Sequence, residues 1–340
     1  MEYVKLGRTE LSVSRTSFGV LPLQRVDMST AAKILRKAYD NAINFYDTAR
    51  NYTDSEEKIG HALASVRKDI VIATKTKATT VEAMQKDMDT SLNNLKTDYV
   101  DIYQFHDPKE VPLPGSPLYE QMLKFKKEGK VRFIGFTSHS LDRAIQATES
   151  GAYDTMQFPF SALSAERDHT IVEVCKQHNV GFIAMKAMAG GLIRHVAANF
   201  SYIRRFENVV PIWGIQREEE LDEFLALENN PPVFDTKLEE QTQLDRQELS
   251  DKFCRGCGYC EPCPVGIPLN MACRMDLFLT RGPWPRMITP EWQQDMRKIL
   301  DCTNCKACAP RCPYNLVPYE ILKYQYEFYE NFVREKEKKD

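Results

Sequence analysis

The chain has 340 residues, 43% of them hydrophobic and 27% charged, with a net charge of −3. That length fits one large domain plus a small one, with an apolar core that needs no disulfide staples. The charge balance excludes a polybasic nucleic-acid binder and an acidic disordered tail, and no apolar run reaches the roughly 18 residues that span a bilayer. The N-terminus carries no basic-then-apolar leader pattern, so a cytoplasmic protein without a membrane span or a nucleic-acid partner is expected.

The first sixteen residues suggest a hairpin that closes the bottom of the fold. From there to about residue 230, strand-sized apolar runs alternate with amphipathic stretches. The runs are 17–20, 44–47, 70–74, 100–105, 131–136, 155–158, 181–185 and 209–214. Helical patterns follow them over 31–41, 55–66, 81–95, 118–128, 141–150, 166–177, 195–206 and 218–227, with 195–206 the least regular. Eight such units predict an α/β chain, a closed (β/α)8 TIM barrel. An open doubly wound sheet is the alternative, and no Gly-x-Gly-x-x-Gly turn supports it.

Asn229-Asn230-Pro231-Pro232 breaks the pattern. The expected organisation is a barrel over 1–230, a polar linker with helical potential over 231–252, a small α-rich cysteine segment over 253–318 and a closing helix over 319–340. The aromatic stripe of that helix (Tyr324, Phe328, Tyr329, Phe332) reads as packing, and 334–340 reads as a solvated charge run.

Nine of the ten cysteines fall between Cys254 and Cys312. Thiols bunched in a cytoplasmic chain point to metal rather than to bridges. The first run is Cys254-x2-Cys257-x2-Cys260-x2-Cys263-Pro264, and the second is Cys302-x2-Cys305-x2-Cys308-x3-Cys312-Pro313. Three thiolates at steps of three wrap one cluster, while the fourth, before proline, leaves in another direction; in two-cluster ferredoxins it ligates the other cluster. The second run matches that pattern fully. The first is one residue short, which makes its cross-ligation less secure. Zinc motifs pair two ligands, a gap and two more, so two [4Fe–4S] clusters in a ferredoxin-like segment are expected. At about −2 each, they would carry the chain from −3 to about −7, a charge that would steer a basic redox partner protein. Cys175 and Cys273 read as core thiols.

In the barrel, Asp47, Tyr52, Lys75 and His106 all stand at or just past the C-terminal ends of adjacent predicted strands, where barrel enzymes keep their chemistry. A carbonyl under reduction develops negative charge on oxygen and then needs a proton. A tyrosine is a poor acid–base group near neutral pH unless a cation stabilises its phenolate. Lys75 can supply that cation, Asp47 can hold Lys75, and His106 can donate to the same carbonyl oxygen.

These segments resemble the aldo/keto reductase family. The resemblance rests on Leu6-Gly7-Arg8-Thr9, Ser17-Phe18-Gly19, Asp47-Thr48-Ala49, Tyr52 with Ser55-Glu56, Ala73-Thr74-Lys75, Asp101 through His106, Ile134 through Ser138, and Gln157. With the appended cysteines, the chain looks like the branch that carries a C-terminal 4Fe–4S ferredoxin-type domain. The resemblance implies nicotinamide-dependent interconversion of a small-molecule carbonyl and alcohol. It makes Tyr52 the general acid, Lys75 and Asp47 the pair that lowers its pKa, and His106 the orienter of the carbonyl. It also implies cofactor contacts by Thr137, Ser138 and Gln157 at the carboxamide. After the seventh strand, where the family often places a stacking aromatic, this chain has Met185-Lys186 and then Gly190-Gly191, which would either let backbone approach a pyrophosphate or form a plain loop turn; Gly214 and Arg217 follow the eighth strand. Thr137-Ser138 replaces the family's Ser-Asn. The three acids Glu218-Glu219-Glu220 would repel a 2′-phosphate, which favours NAD(H) over NADP(H); an acidic first turn of a helix is the plain alternative.

A hydride carries two electrons and a cluster accepts one, and no flavin motif is visible to convert between them. The clusters are therefore read as carrying electrons or sensing redox state beside the barrel's own reaction. Two other functions fit the same residues: an electron-transfer or docking module with a non-catalytic barrel, and redox-neutral acid–base chemistry on a sugar or hydroxy acid.

Overall fold

A computed structural model describes residues 1–249, 254–281 and 284–337. The end of the expected linker, the first residue of the expected cysteine segment, Pro283 and the last three residues of the charged tail lie outside the described residues. The chain divides into two compact units, Met1–Thr242 and Gln243–Asp340.

Two short strands, β1 (Tyr3–Lys5) and β2 (Ser12–Ser14), pair antiparallel. Eight parallel strands follow: β3 (Ser17–Gly19), β4 (Phe45–Asp47), β5 (Val71–Thr76), β6 (Val100–His106), β7 (Val131–Thr137), β8 (Thr155–Pro159), β9 (Gly181–Met185) and β10 (Val209–Gly214). They close in chain order, with β10 returning to β3. The helices between and after them are α1 (Met28–Asp40), α2 (Ser55–Leu63), α3 (Val81–Leu95), α4 (Pro117–Lys127), α5 (Leu141–Glu149), α6 (His169–Gln177), α7 (Val196–Ile203) and α8 (Glu218–Asn229). The (β/α)8 barrel is thus as expected, with differences at element ends. The helix predicted over 55–66 stops at Leu63, because Val66 leaves helical backbone at φ −119° and ψ 20° and a 3-10 segment takes over. The pattern at 166–177 splits in the same way into a 3-10 turn and α6.

Why the barrel has a polar mouth follows from what fills its other end. Leu6, Leu11 and Val13, from the hairpin region, pack with Phe45, Val71, Ala73, Ile102, Ile183, Val210 and Ile212. This apolar plug floors the interior at the N-terminal end of the strands. Outward-facing side chains such as Tyr46, Tyr103, Phe136, Phe182 and Trp213 join the separate core under the helices. Burying these large side chains stabilises by about 2 kcal/mol each. Polar groups that point inward are left to the C-terminal end.

The linker's helical potential is realised as α9 (Thr236–Leu249), and the division between the units falls inside it. It is polar throughout, yet Thr242 and Asp245, three residues apart, are both buried. The second unit contains α10 (Leu269–Ala272), α11 (Met275–Arg281), α12 (Pro290–Arg297) and α13 (Pro318–Glu337). Its own core joins Ile267, Met275, Leu279, Met296, Leu322, Tyr329 and Val333. The stripe on α13 is packing at Phe328, Tyr329 and Phe332, but Tyr324 stands 56% exposed. No described helix is long and apolar enough to cross a membrane.

Gly7 holds the plug against β9. Its φ is +52°, and an added Cβ would lie 2.3 Å from the Gly181 nitrogen. Left-handed strain and overpacking against backbone add, so Gly7→Ala is expected to cost about 3 kcal/mol of unfolding free energy in urea titrations.

Candidate active site and cysteine cavities

The mouth of the barrel is organised around one buried ion pair. Asp47, the last residue of β4, and Lys75, near the end of β5, are almost fully buried, with Nζ 2.6 Å from Oδ2. Lys75 also donates to the Thr48 carbonyl at 2.6 Å. Gln104 Nε2 donates to Asp47 Oδ1 at 3.3 Å, and Gln157 Nε2 to Oδ2 at 3.4 Å. The Thr137 hydroxyl donates to the side-chain oxygens of Gln104 and Gln157 at 3.2 and 3.3 Å. Burial drives the Asp47 carboxyl up and the Lys75 ammonium down, and their mutual attraction opposes both shifts.

Tyr52 and His106 lie against this pair. The Lys75 ammonium is 5.3 Å from the Tyr52 ring centroid, and the Tyr52 and His106 rings meet edge to face at 5.6 Å. Tyr52 sits on the turn after β4, which is pinned on several sides. Arg50 pairs with buried Glu56 of α2, which also accepts from Thr74 at 2.7 Å. The hydroxyls of Thr48 and Ser55 share a bond of 2.8 Å, and Thr53 donates to Gln24 at 3.0 Å. The four predicted catalytic residues are thus brought together.

Tyr52 stands well above the ordinary tyrosine value, not below it, because burial removes water from a phenolate and the Asp47 charge repels one. The resting tyrosine is protonated. His106 is held well below the usual histidine value by burial and by the charges of Lys75 and Lys77, so its ring is neutral. Its buried Nδ1 has no hydrogen-bond partner among the described residues.

The predicted cofactor contacts spread around the same rim. Thr137 and Gln157 belong to the network just described. The Ser138 hydroxyl is committed to the β7–α5 turn: it donates to the Ser140 carbonyl at 3.2 Å and accepts the Ser140 N–H at 3.0 Å. Next to it, Asp107 bonds His139 Nδ1 at 3.0 Å and Arg143 at 3.3 Å. After β9, Lys186, Ala189, Gly190 and Gly191 all hold positive φ, at 54°, 50°, 74° and 93°. Asn199 of α7 braces this loop through the Ala187 carbonyl at 2.7 Å. Gly214 ends β10 with an exposed backbone. Arg217 caps α8 and is spent on Glu220 at 3.0 Å, while Glu218 is held by Lys33 and Lys37 at 2.6 and 2.9 Å. Two of the three acids read as a phosphate-repelling row are therefore neutralised locally, and the plain capping role is the one the structure displays.

Sequence reasoning missed Gln104, Arg50, Glu56 and Asn199. Gln104 was findable: Ile102, Gln104 and His106 alternate on β6, so they share its inner face.

In the second unit, the cysteines line two cavities. Cys254, Cys257, Cys260 and Cys312 surround one of about 370 Å³, with Cys273 beside them. Cys302, Cys305, Cys308 and Cys263 surround one of about 320 Å³. Each set takes three thiols from one run and the fourth from the other. Cys263 lines the second set's cavity despite its shorter spacing. Four thiols in each set, with no carboxylate in either lining, fit the ligand chemistry of an iron–sulfur cluster. Cys175 is a buried core thiol near Thr148, pushed up to about 12 by burial.

The molecule thus combines a closed (β/α)8 barrel bearing an Asp–Tyr–Lys–His mouth with a unit whose cysteines line two cavities. The aldo/keto reductase family profile matches residues 16–209, and a 4Fe–4S dicluster domain profile matches residues 253–317. The chain belongs to the aldo/keto reductase family and carries a C-terminal 4Fe–4S dicluster domain. It is 32% identical over 214 residues to L-galactose dehydrogenase of Arabidopsis thaliana, a match covering 57% of this chain and 67% of that protein. It is 24% identical over 266 residues to the NADH-specific methylglyoxal reductase of Escherichia coli, covering 68% and 81%. Other curated relatives are matched over about two thirds of their length, 64% and 65% in two cases. An aldo/keto reductase from Klebsiella pneumoniae, solved with NADP and acetate, superposes with a TM-score of 0.63 at 22% identity, over 72% of this chain and 95% of that one.

Because the depressed His106 pKa means the unfolded chain binds more protons below about pH 6.5, this residue makes stability fall as pH drops through that value. His106→Asn is expected to lose about 1–2 kcal/mol less than the wild type between about pH 7.5 and pH 5, read by urea denaturation at both.

Proposed function

We propose that the barrel interconverts a small-molecule carbonyl and alcohol with a nicotinamide dinucleotide, and that the eight cysteines hold two [4Fe–4S] clusters that exchange single electrons with a redox partner protein. The observation that carries the first part is the buried Lys75–Asp47 pair set against a protonated Tyr52 and a neutral His106. A scaffold would have no use for an ion pair whose desolvation costs several kcal/mol.

A bound reduced nicotinamide supplies a hydride to the carbonyl carbon. Everything else is asked of the chain. The neutral His106 ring donates a hydrogen bond that orients the carbonyl oxygen. Tyr52 gives that oxygen its proton and becomes a phenolate. The Lys75 ammonium, fixed by Asp47 and the Thr48 carbonyl, stabilises the phenolate as it forms. Solvent returns the proton to Tyr52. In the alcohol-oxidising direction the phenolate accepts it. Thr137 and Gln157 orient the nicotinamide carboxamide, Ser138 shapes the turn beside it, and the left-handed Lys186, Ala189, Gly190 and Gly191 let backbone approach the pyrophosphate. We read the dinucleotide as NAD(H) rather than NADP(H). The support is Arg217, which a 2′-phosphate would have to take from Glu220.

With anaerobically reconstituted protein and a panel of aldehydes and ketones, NADH oxidation is expected to be measurable, and Tyr52→Phe or Lys75→Met to lower kcat by roughly 10²–10⁴-fold. Absence of turnover with every carbonyl would count against the reading, as would full activity in Tyr52→Phe. NADPH is expected to show the higher KM, and Glu220→Gln, which releases Arg217, to narrow the gap in steady-state assays.

A further inference from the structure

The two cysteine cavities meet solvent differently. Of the eight cysteines read as ligands, Cys305 alone is exposed; Cys260 is buried and the other six are partly buried. Cys305 lies in the loop Thr303–Lys306, all four residues of which are exposed. Leu300, just upstream, is 67% exposed. The charged residues lining this cavity are Lys306 and Arg311. Neither has a carboxylate partner among the described residues; Arg311 donates only to the carbonyls of Ala307 and Pro262, at 2.8 and 3.3 Å. The acids nearest in sequence, Asp301 and Glu320, do not line the cavity, and Lys298 is matched by Asp295 at 2.5 Å. The other cavity offers solvent no such rim. Its charged lining residue, Arg255, is buried, with its guanidinium 4.0 Å over the Tyr314 ring.

Net charge alone favours a basic partner, as expected from sequence. At about 8 Å of screening length in physiological salt, however, contact is decided by the charges at the rim. Electron exchange between proteins also falls steeply with distance, so the exposed thiol marks the point of nearest approach. We propose that the Cys305 loop, with Lys306 and Arg311, is the electron-exchange surface, and that it docks a small carrier protein whose redox group lies under an acidic surface. This rests on the reading that the eight cysteines hold clusters. One electron leaves the reduced carrier and is taken up at the site held by Cys263, Cys302, Cys305 and Cys308; the reverse step returns it, and no bond is made or broken.

The test uses the full-length protein after anaerobic reconstitution, with a plant-type [2Fe–2S] ferredoxin as the acidic carrier and cytochrome c as a basic control. Cluster absorbance and iron content are read first, and their absence would overturn the cluster reading itself before any carrier is added. With clusters in place, ferredoxin is expected to bind more tightly than cytochrome c and more weakly as salt rises. Lys306→Glu with Arg311→Glu is expected to slow stopped-flow reduction by ferredoxin about tenfold or more at low salt, with iron content unchanged and the slowing larger than the accompanying drop in midpoint potential accounts for. The milder pair Lys306→Gln and Arg311→Gln, which removes charge without reversing it, is expected to fall between. Tighter binding of cytochrome c, or ferredoxin binding indifferent to these substitutions at full iron content, would overturn the proposal.

Discussion

The site depends on keeping two opposite charges out of water. Asp47 and Lys75 face each other inside the barrel mouth, and burial penalises both. Such a pair persists only when its remaining hydrogen-bonding capacity is met. Here Gln104, Gln157 and the Thr48 carbonyl meet it, and Thr137 ties the two glutamines together. Five strand ends therefore converge on one carboxylate–ammonium contact. The apolar plug at the opposite end makes this possible, because it leaves the mouth as the one end of the barrel lined by polar side chains. The pinned turn from Thr48 to Ser55 then sets Tyr52 against the ammonium.

Much of this was legible in the sequence, and the reasons differ by element. The strands were legible because a parallel barrel strand is buried on both faces and reads as a short apolar run. Asp47, Lys75 and His106 were legible as polar residues closing such runs. The direction of the Tyr52 shift was not. Charge pairs can be read from residue types, but the cost of desolvating a phenolate depends on packing that no motif states. The buried face of helix α9 was obscured for a related reason. Its exposed positions are so polar that the two buried ones, Thr242 and Asp245, do not announce an apolar face.

The acids at the start of α8 teach a different lesson. Read as a row of charges, Glu218, Glu219 and Glu220 form a barrier to phosphate. In the folded chain Glu218 belongs to Lys33 and Lys37 of α1, and Glu220 returns to the Gln216 and Arg217 backbone and to the Arg217 side chain. The charges of that turn are therefore met locally, Arg217 included, and their sum says little about it.

With clusters bound as proposed, the exchange of fourth cysteines between the two linings would have a consequence for how the second unit ages. Cys312 completes the first set and Cys263 the second, so neither set closes on a contiguous stretch of chain. Filling either site ties the two runs together across everything between them, including α10 to α12, and so shapes the other site for loading. Damage runs along the same connection. An oxidant that dismantles one centre frees a thiol whose chain neighbours hold the other, and the pair would fail together, like a fuse with two filaments wired in series.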